Sequence, residues 1–146
     1  MKKKTVIAII GGGGTGKTQT IKKTIQVIQN RFPKSHVEIL IYGVDIKVVI
    51  TIKNIIIGIE SYGDPLIERL SESLSDFAKK HCDIIICATR TKGDAVTAID
   101  NMHNKNNYDI IWAANYVSYE KSQPDLNQLS AEHIVDLIDK LLTNQI

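Results

Sequence analysis

The sequence predicts an α/β domain of three layers, a mostly parallel sheet between two sets of helices. Three observations predict it. Short, continuous, β-branched runs such as Thr5 to Ile10 (TVIAII) and Ile84 to Ala88 (IIICA) have the composition of strands covered on both faces. Segments with apolar residues three and four apart alternate with these runs, as the helices of βαβ units do. A length of 146 residues suits one domain closing around one core, so residues 1–146 are expected to form a single unit.

The elements follow in order. Thr5 to Ile10 is the first strand, ended by Gly11-Gly12-Gly13-Gly14. From Lys17 onward, Ile21, Ile25, Ile28 and Phe32 recur at helical spacing until Pro33 stops the helix. Val37 to Tyr42 and Ile46 to Ile52 are strands about a Gly43-Val44-Asp45 turn, and Ile55 to Ile59 follows Lys53-Asn54. Connectors this short cannot hold a parallel crossover, so the strand at 46–52 is expected to run antiparallel to both neighbours. Asp64-Pro65 opens a helix, with an N-cap acceptor and a proline at the first helical position, carrying Leu66, Leu70, Leu74 and Phe77 to near Lys80. After the strand at Ile84 to Ala88, Asp94 is expected to cap a helix bearing Val96, Ile99 and Met102. Asp109 to Ala114 is the sixth strand, with Trp112 expected in the core. Following a loop around Gln123-Pro124-Asp125, Ser130 is expected to cap a last helix with Ile134, Leu137, Ile138 and Leu141 inward.

Composition bounds the partners. Hydrophobic residues make up 43% and charged ones 23%, ordinary for a globular domain. Eighteen basic against sixteen acidic residues give a formal charge of +2, which by itself indicates neither nucleic acid nor membrane. Two cysteines, Cys82 and Cys87, supply neither a disulfide framework nor a four-thiolate metal site and read as buried thiols. The four histidines lack metal-ligand spacing. No segment approaches the roughly 18 apolar residues of a membrane helix, and the N-terminal lysines run directly into a strand rather than a cleavage pattern. A cytoplasmic location is the default expectation.

Gly11-Gly12-Gly13-Gly14-Thr15-Gly16-Lys17-Thr18 satisfies the phosphate-loop pattern of glycine, four residues, then Gly-Lys-Thr, between a strand and a helix. Glycines let backbone N–H groups turn toward an anion, and the following helix directs its N-terminal donors at phosphate. In these eight residues the sequence resembles the P-loop NTPase superfamily. The resemblance implies a nucleoside triphosphate with Mg²⁺, Lys17 bridging the β- and γ-phosphates and the Thr18 hydroxyl ligating the metal. It also implies an acid at the end of a neighbouring apolar strand, for metal or catalytic water. Glu60, after Ile55-Ile56-Ile57-Gly58-Ile59, and Asp64, one turn farther, are the candidates, with Asp45 a third. Asp64 is equally suited to capping its helix.

Two subfamilies compete. Glu60-Ser61-Tyr62-Gly63 and Thr91-Lys92-Gly93-Asp94 resemble the Asp-x-x-Gly switch and guanine-reading Asn-Lys-x-Asp of small GTPases. Strand counting places the guanine position instead at Asn115-Tyr116-Val117-Ser118, which has the asparagine but neither lysine nor aspartate. P-loop kinases place phosphate-clamping arginines where this chain has Arg90 and Lys92, and Arg90 is one of only three arginines. No acceptor-binding insertion is present between residues 42 and 55. Tyr62 reads as a partly exposed loop residue.

The leading expectation is therefore a Mg²⁺-dependent, ATP-binding protein that hydrolyses the nucleotide or passes its phosphoryl group to a small acceptor. GTP is the less favoured ligand. Lys17 and Arg90 would stabilise charge, Thr18 with Glu60 or Asp64 would hold metal or orient the nucleophile, and adenine would pack near Asn115. The alternatives are a small GTPase-like protein or a nucleotide-dependent interaction module whose loop 60–65 recruits a protein partner.

Overall fold

Among the described residues, apolar β-branched runs become six strands and the periodic segments become four helices. The computed structural model describes every residue except 2, 13, 15 and 63–66. In chain order the elements are β1 (Thr5–Ile10), α1 (Lys17–Arg31), β2 (His36–Tyr42), β3 (Ile46–Ile52), β4 (Ile55–Glu60), α2 (Ile67–Lys79), β5 (Ile84–Thr89), α3 (Asp94–Asn106), β6 (Asp109–Ala114) and α4 (Gln123–Leu142). The strands form one sheet in the order β2-β3-β4-β5-β1-β6. Only β3 is reversed: it is antiparallel to β2 and β4, while β4, β5, β1 and β6 are parallel. The two-residue link at Lys53-Asn54 enforces that reversal, as the short connectors require.

Alternation along each strand sorts the core into two halves. Ile7 and Ile9 of β1 pack with Ile21, Ile25 and Ile28 of α1 and with Ile134, Val135 and Ile138 of α4. Val6 and Ala8 face the opposite way, toward Leu70, Leu74 and Phe77 of α2 and Ala95, Ile99 and Met102 of α3. Helices α1 and α4 thus cover one face and α2 and α3 the other. The second face is close-fitting at Gly58, where an added Cβ would lie 2.6 Å from the Phe77 ring. Beside it the Lys47 ammonium, over the same ring, meets Asp76 Oδ2 at 2.8 Å, and this hydrogen bond holds the Asp76 carboxyl below its usual range. Cys82 and Cys87 are buried and free.

Four local expectations are corrected. Helix α4 begins at Gln123, not after Ser130: Ser122 is its N-cap, accepting from the Asp125 N–H, and Pro124 sits in the first turn where its missing donor costs nothing. Ser130 lies inside the helix and its hydroxyl accepts from the Tyr116 N–H. Asp94 is the first residue of α3, and Gly93 is the cap, at φ 111° and with no side-chain bond. Trp112 is 40% exposed because β6 is an edge strand that α3 only partly covers. Tyr62 is buried among the α2 and α3 side chains, with the Arg69 guanidinium 5.7 Å from its ring centre. Among the described residues no helix is long and apolar enough to cross a membrane.

Candidate functional site

The topology itself marks where a ligand would enter. Helix α1 leaves the carboxyl end of β1 onto one face of the sheet, and α3 leaves the neighbouring β5 onto the other. β4 and β5 both send their helices to the α2–α3 face, β1 and β6 theirs to the α1–α4 face. The one change of side therefore falls between β5 and β1, and open α/β sheets bind ligands in the crevice at such a change. The loop after β1 is the glycine loop, and the loop after β5 is Arg90 to Gly93.

Backbone bonds tie the strand tips together around this crevice. Ile10 is level with Thr89 and Ala114. The Gly11 N–H donates to Thr89 O at 3.1 Å, and the Asn115 N–H donates to Ile10 O at 3.3 Å. The loop then turns into α1 through Gly16, a left-handed residue at φ 82° that serves as N-cap without a side-chain bond. No acid occupies the first turn of α1. Glycine is required at position 16 twice over. A side chain at that φ is strained, and a Cβ would come within 2.8 Å of the Asn127 amide.

Lys17 curls back over its own loop. Its Nζ donates to Gly11 O and, at 3.0 Å, to Gly12 O. Thr18, partly buried, follows in the first turn of α1, and Gly14 is left-handed with open space where a side chain would stand. Arg90 is exposed, one residue beyond Thr89, whose hydroxyl donates to Arg90 O at 3.0 Å. The fold therefore brings Gly11, Gly12, Gly14, Gly16, Lys17, Thr18 and Arg90 to one edge of the sheet. Gly13, Thr15 and Asp64, expected at the same site, lie outside the described residues, as do Gly63 and Pro65.

Asn115 is placed beside the loop, but as a brace. It is buried, and its Oδ1 accepts from the Thr20 hydroxyl at 2.6 Å, joining the tip of β6 to α1. Asn127, also buried, stands against Gly16 and accepts from Gln123 Nε2 at 2.8 Å. Thr20 and Asn127 were not among the sequence candidates. Their signal is a polar residue inside an apolar helical stripe, such as Asn127 leading Ala131, Ile134 and Ile138.

Glu60 is the residue the fold does not bring to the loop. Strand β5 stands between β4 and β1, and Glu60, next after the Ile59–Ile86 pair, is level with Cys87 and Ala8 rather than with Ile10. It follows Gly58 by two residues, so it shares Gly58's face, the one covered by α2, opposite α1. Its side chain is wholly buried, and Oε2 accepts from the Tyr62 N–H at 2.7 Å. The nearby Cys87 thiol is pushed well above its ordinary range, first by burial and then by the Glu60 charge. Asp45 sits in the β2–β3 turn, farther out along the sheet.

No protein-family model matches the chain, and no curated protein matches it. Among solved structures, one described as that of APE1195 aligns over 99% of this chain and 77% of its own, at 12% identity and a TM-score of 0.40. A likeness that slight carries no argument about fold or function.

Proposed function

We propose that the crevice between β1 and β5 binds the phosphates of a nucleoside triphosphate, ATP in the first instance, and that the chain is a P-loop NTPase or small kinase-like phosphotransferase. One observation carries the reading. The Gly-Lys-Thr loop joins strand to helix at the point where the sheet changes side, with α1 uncapped by any side chain and Lys17 folded over the loop's carbonyls. Backbone donors, a helix N-terminus and a mobile ammonium then converge on one place, which is what a polyphosphate needs.

The chain's own residues do the following. Backbone N–H groups of the loop and first turn of α1 hold the phosphate oxygens, and Lys17 exchanges two carbonyls for charged oxygens of the same phosphates. Arg90, at the tip of the adjacent strand, offsets charge on the equatorial oxygens as the attacking oxygen bonds to the γ-phosphorus and the β–γ bridging oxygen leaves. Among the described residues no cluster of three His, Cys, Asp or Glu could hold a metal. The Thr18 hydroxyl, phosphate oxygens and water suit Mg²⁺, which keeps much of its hydration and, when bound, neutralises charge on the phosphates. Glu60, held away behind β5, is given the task of fixing the start of the loop that follows it.

The test is thermal stabilisation by ATP, GTP, ADP and GDP, each with and without Mg²⁺, since selective binding to the native state raises its melting point. The expected result is a Mg²⁺-dependent rise with ATP that Lys17→Ala abolishes. Stabilisation by guanine nucleotides alone would favour the GTPase-like alternative, and a rise of equal size in Lys17→Ala would overturn the site.

A further inference from the structure

The two outer strands of the sheet are finished differently. Strand β2 is interrupted by the shift of register between Ile39 and Ile41, whereas β6 pairs with β1 without a break from Asp109 to Ala114. Lysines, prolines and bulges are common guards of an exposed edge, and β6 (DIIWAA) has none of them. A parallel ladder engages alternate residues of an edge strand. The Asp109 N–H donates to Lys4 O and the Asn115 N–H to Ile10 O, so Trp112 and Ala114 turn their N–H and C=O groups to the open side. The Ile110 N–H, which also faces outward, is taken by Asp109 Oδ1 at 2.9 Å.

A cavity flanks this edge on each face. On the α3 side, one of about 300 Å³ is lined by Trp112, Asp100, His103, Asn104 and Asp109. It has an aromatic wall and two acids, and among the described residues neither aspartate forms an ion pair. On the α4 side, one of about 250 Å³ is lined by Ala113, Ile134, Leu137, Tyr116 and His133. The Tyr116 hydroxyl and His133 Nδ1 lie 2.8 Å apart with their rings edge to face, which fixes one wall of this mainly apolar hollow. Either cavity alone is what a helix lying across an edge strand leaves behind. The pair matters because consecutive side chains of an added strand fall on opposite faces, one toward the acidic cavity and the next toward the apolar one.

We infer that β6 takes up an extended segment of a partner protein as a seventh strand of the sheet, with an arginine or lysine side chain in the cavity of Trp112 and Asp100 and an aliphatic neighbour in the cavity beneath Leu137. Main-chain bonds to Trp112 and Ala114 would give the affinity and the two cavities the selectivity. Charge complementarity chooses the cation, and the exposed indole face adds a second attraction for it. A second copy of this chain does not supply the pattern, since β6 holds no cation and β2 is broken at Leu40. The same two aspartates repel a polyanion.

The probe is a fluorescein-labelled peptide, Ser-Thr-Val-Arg-Leu-Thr-Ser, titrated with the full chain and followed by anisotropy; its aliphatic residues flank the arginine, so either strand direction presents the same alternation. Saturable binding is expected, weakened about tenfold when glutamate replaces the arginine and about tenfold when aspartate replaces both aliphatic residues. Asp100→Lys, an exposed change on α3, should weaken binding of the arginine peptide about fivefold at an unchanged melting point. Methylating one alternate set of peptide nitrogens should abolish binding and methylating the other set should leave it, because only one set faces β6. Glu38→Lys, exposed on β2 at the other edge, should leave binding as it was. No saturable binding, equal affinity for the arginine and glutamate peptides, an unaltered Asp100→Lys, weakened binding in Glu38→Lys, equal effects of the two methylation patterns, or a dimer of the chain that the peptide dissociates would each overturn the proposal.

Discussion

The Lys17 ammonium rests on Gly11 O and Gly12 O. Under the proposed reading, a bound polyphosphate would exchange these neutral acceptors for charged oxygens, which make the stronger bonds. Glu60 gives the complementary case of an acid whose place in the chain implied one task and whose place in the fold implies another. Its carboxylate accepts from the Tyr62 N–H in a wholly buried setting on the face opposite α1. Glu60→Gln keeps an acceptor oxygen for that bond. It should therefore leave the Mg²⁺-dependent ATP stabilisation intact, and it should lower the Cys87 thiol's pKa, because the Glu60 charge contributes to raising it. Loss of the Mg²⁺-dependent increment in the thermal assay would return Glu60 to the metal.

Elements hold together through a few contacts that leave no slack. Gly58 of β4 meets the Phe77 ring of α2 with no room for a methyl group, and Lys47 and Asp76 clamp the same junction. Gly58→Ala should cost about 1–3 kcal/mol by overpacking, read as a lower denaturant midpoint with unchanged slope. Each strand was legible beforehand because β-branched runs ended at glycines or charged turns, and β3's reversal followed from loop length alone. The start of α4 was misread because Ser122 and Pro124, a cap and a first-turn proline, have the composition of a loop. Strand order was not legible. It depends on which face each crossover helix takes, and it decides that Arg90 stands beside the glycine loop while Glu60 does not. The burial of Tyr62 and the exposure of Trp112 escaped for the same reason, since neighbours across the sheet, not residues along the chain, determine both.

At the scale of the whole molecule, buried acidic groups shape how the fold responds to alkali, the Cys87 thiol in the same sense as the two that follow. Burial pushes the Cys82 thiol up to about 11 and the Tyr108 phenol, which donates to Cys82 O at 2.6 Å, up to about 12. The unfolded chain releases these protons first, near pH 9 for the thiol and pH 10 for the phenol. The native state thus binds more protons across that interval, and stability present below about pH 9 is lost as pH rises through the folded values. Denaturant midpoints measured from pH 8 to 12 should fall steadily above 9, and Tyr108→Phe should remove the steepening above 10.

The irregular pairing of β2 with β3 has a consequence for solubility. Ile39 pairs with Val48 and Ile41 with Lys47, so Leu40 is an extra residue in an edge strand whose Ile39, Leu40, Ile41 and Tyr42 are all exposed. An apolar edge with a regular ladder would template pairing between molecules, and the kink at Leu40 spoils that template. Deleting Leu40 should leave the domain folded but lower the concentration at which it precipitates, measurable by light scattering. One surplus leucine in an edge strand is thus expected to hold down the molecule's tendency to adhere to its own copies.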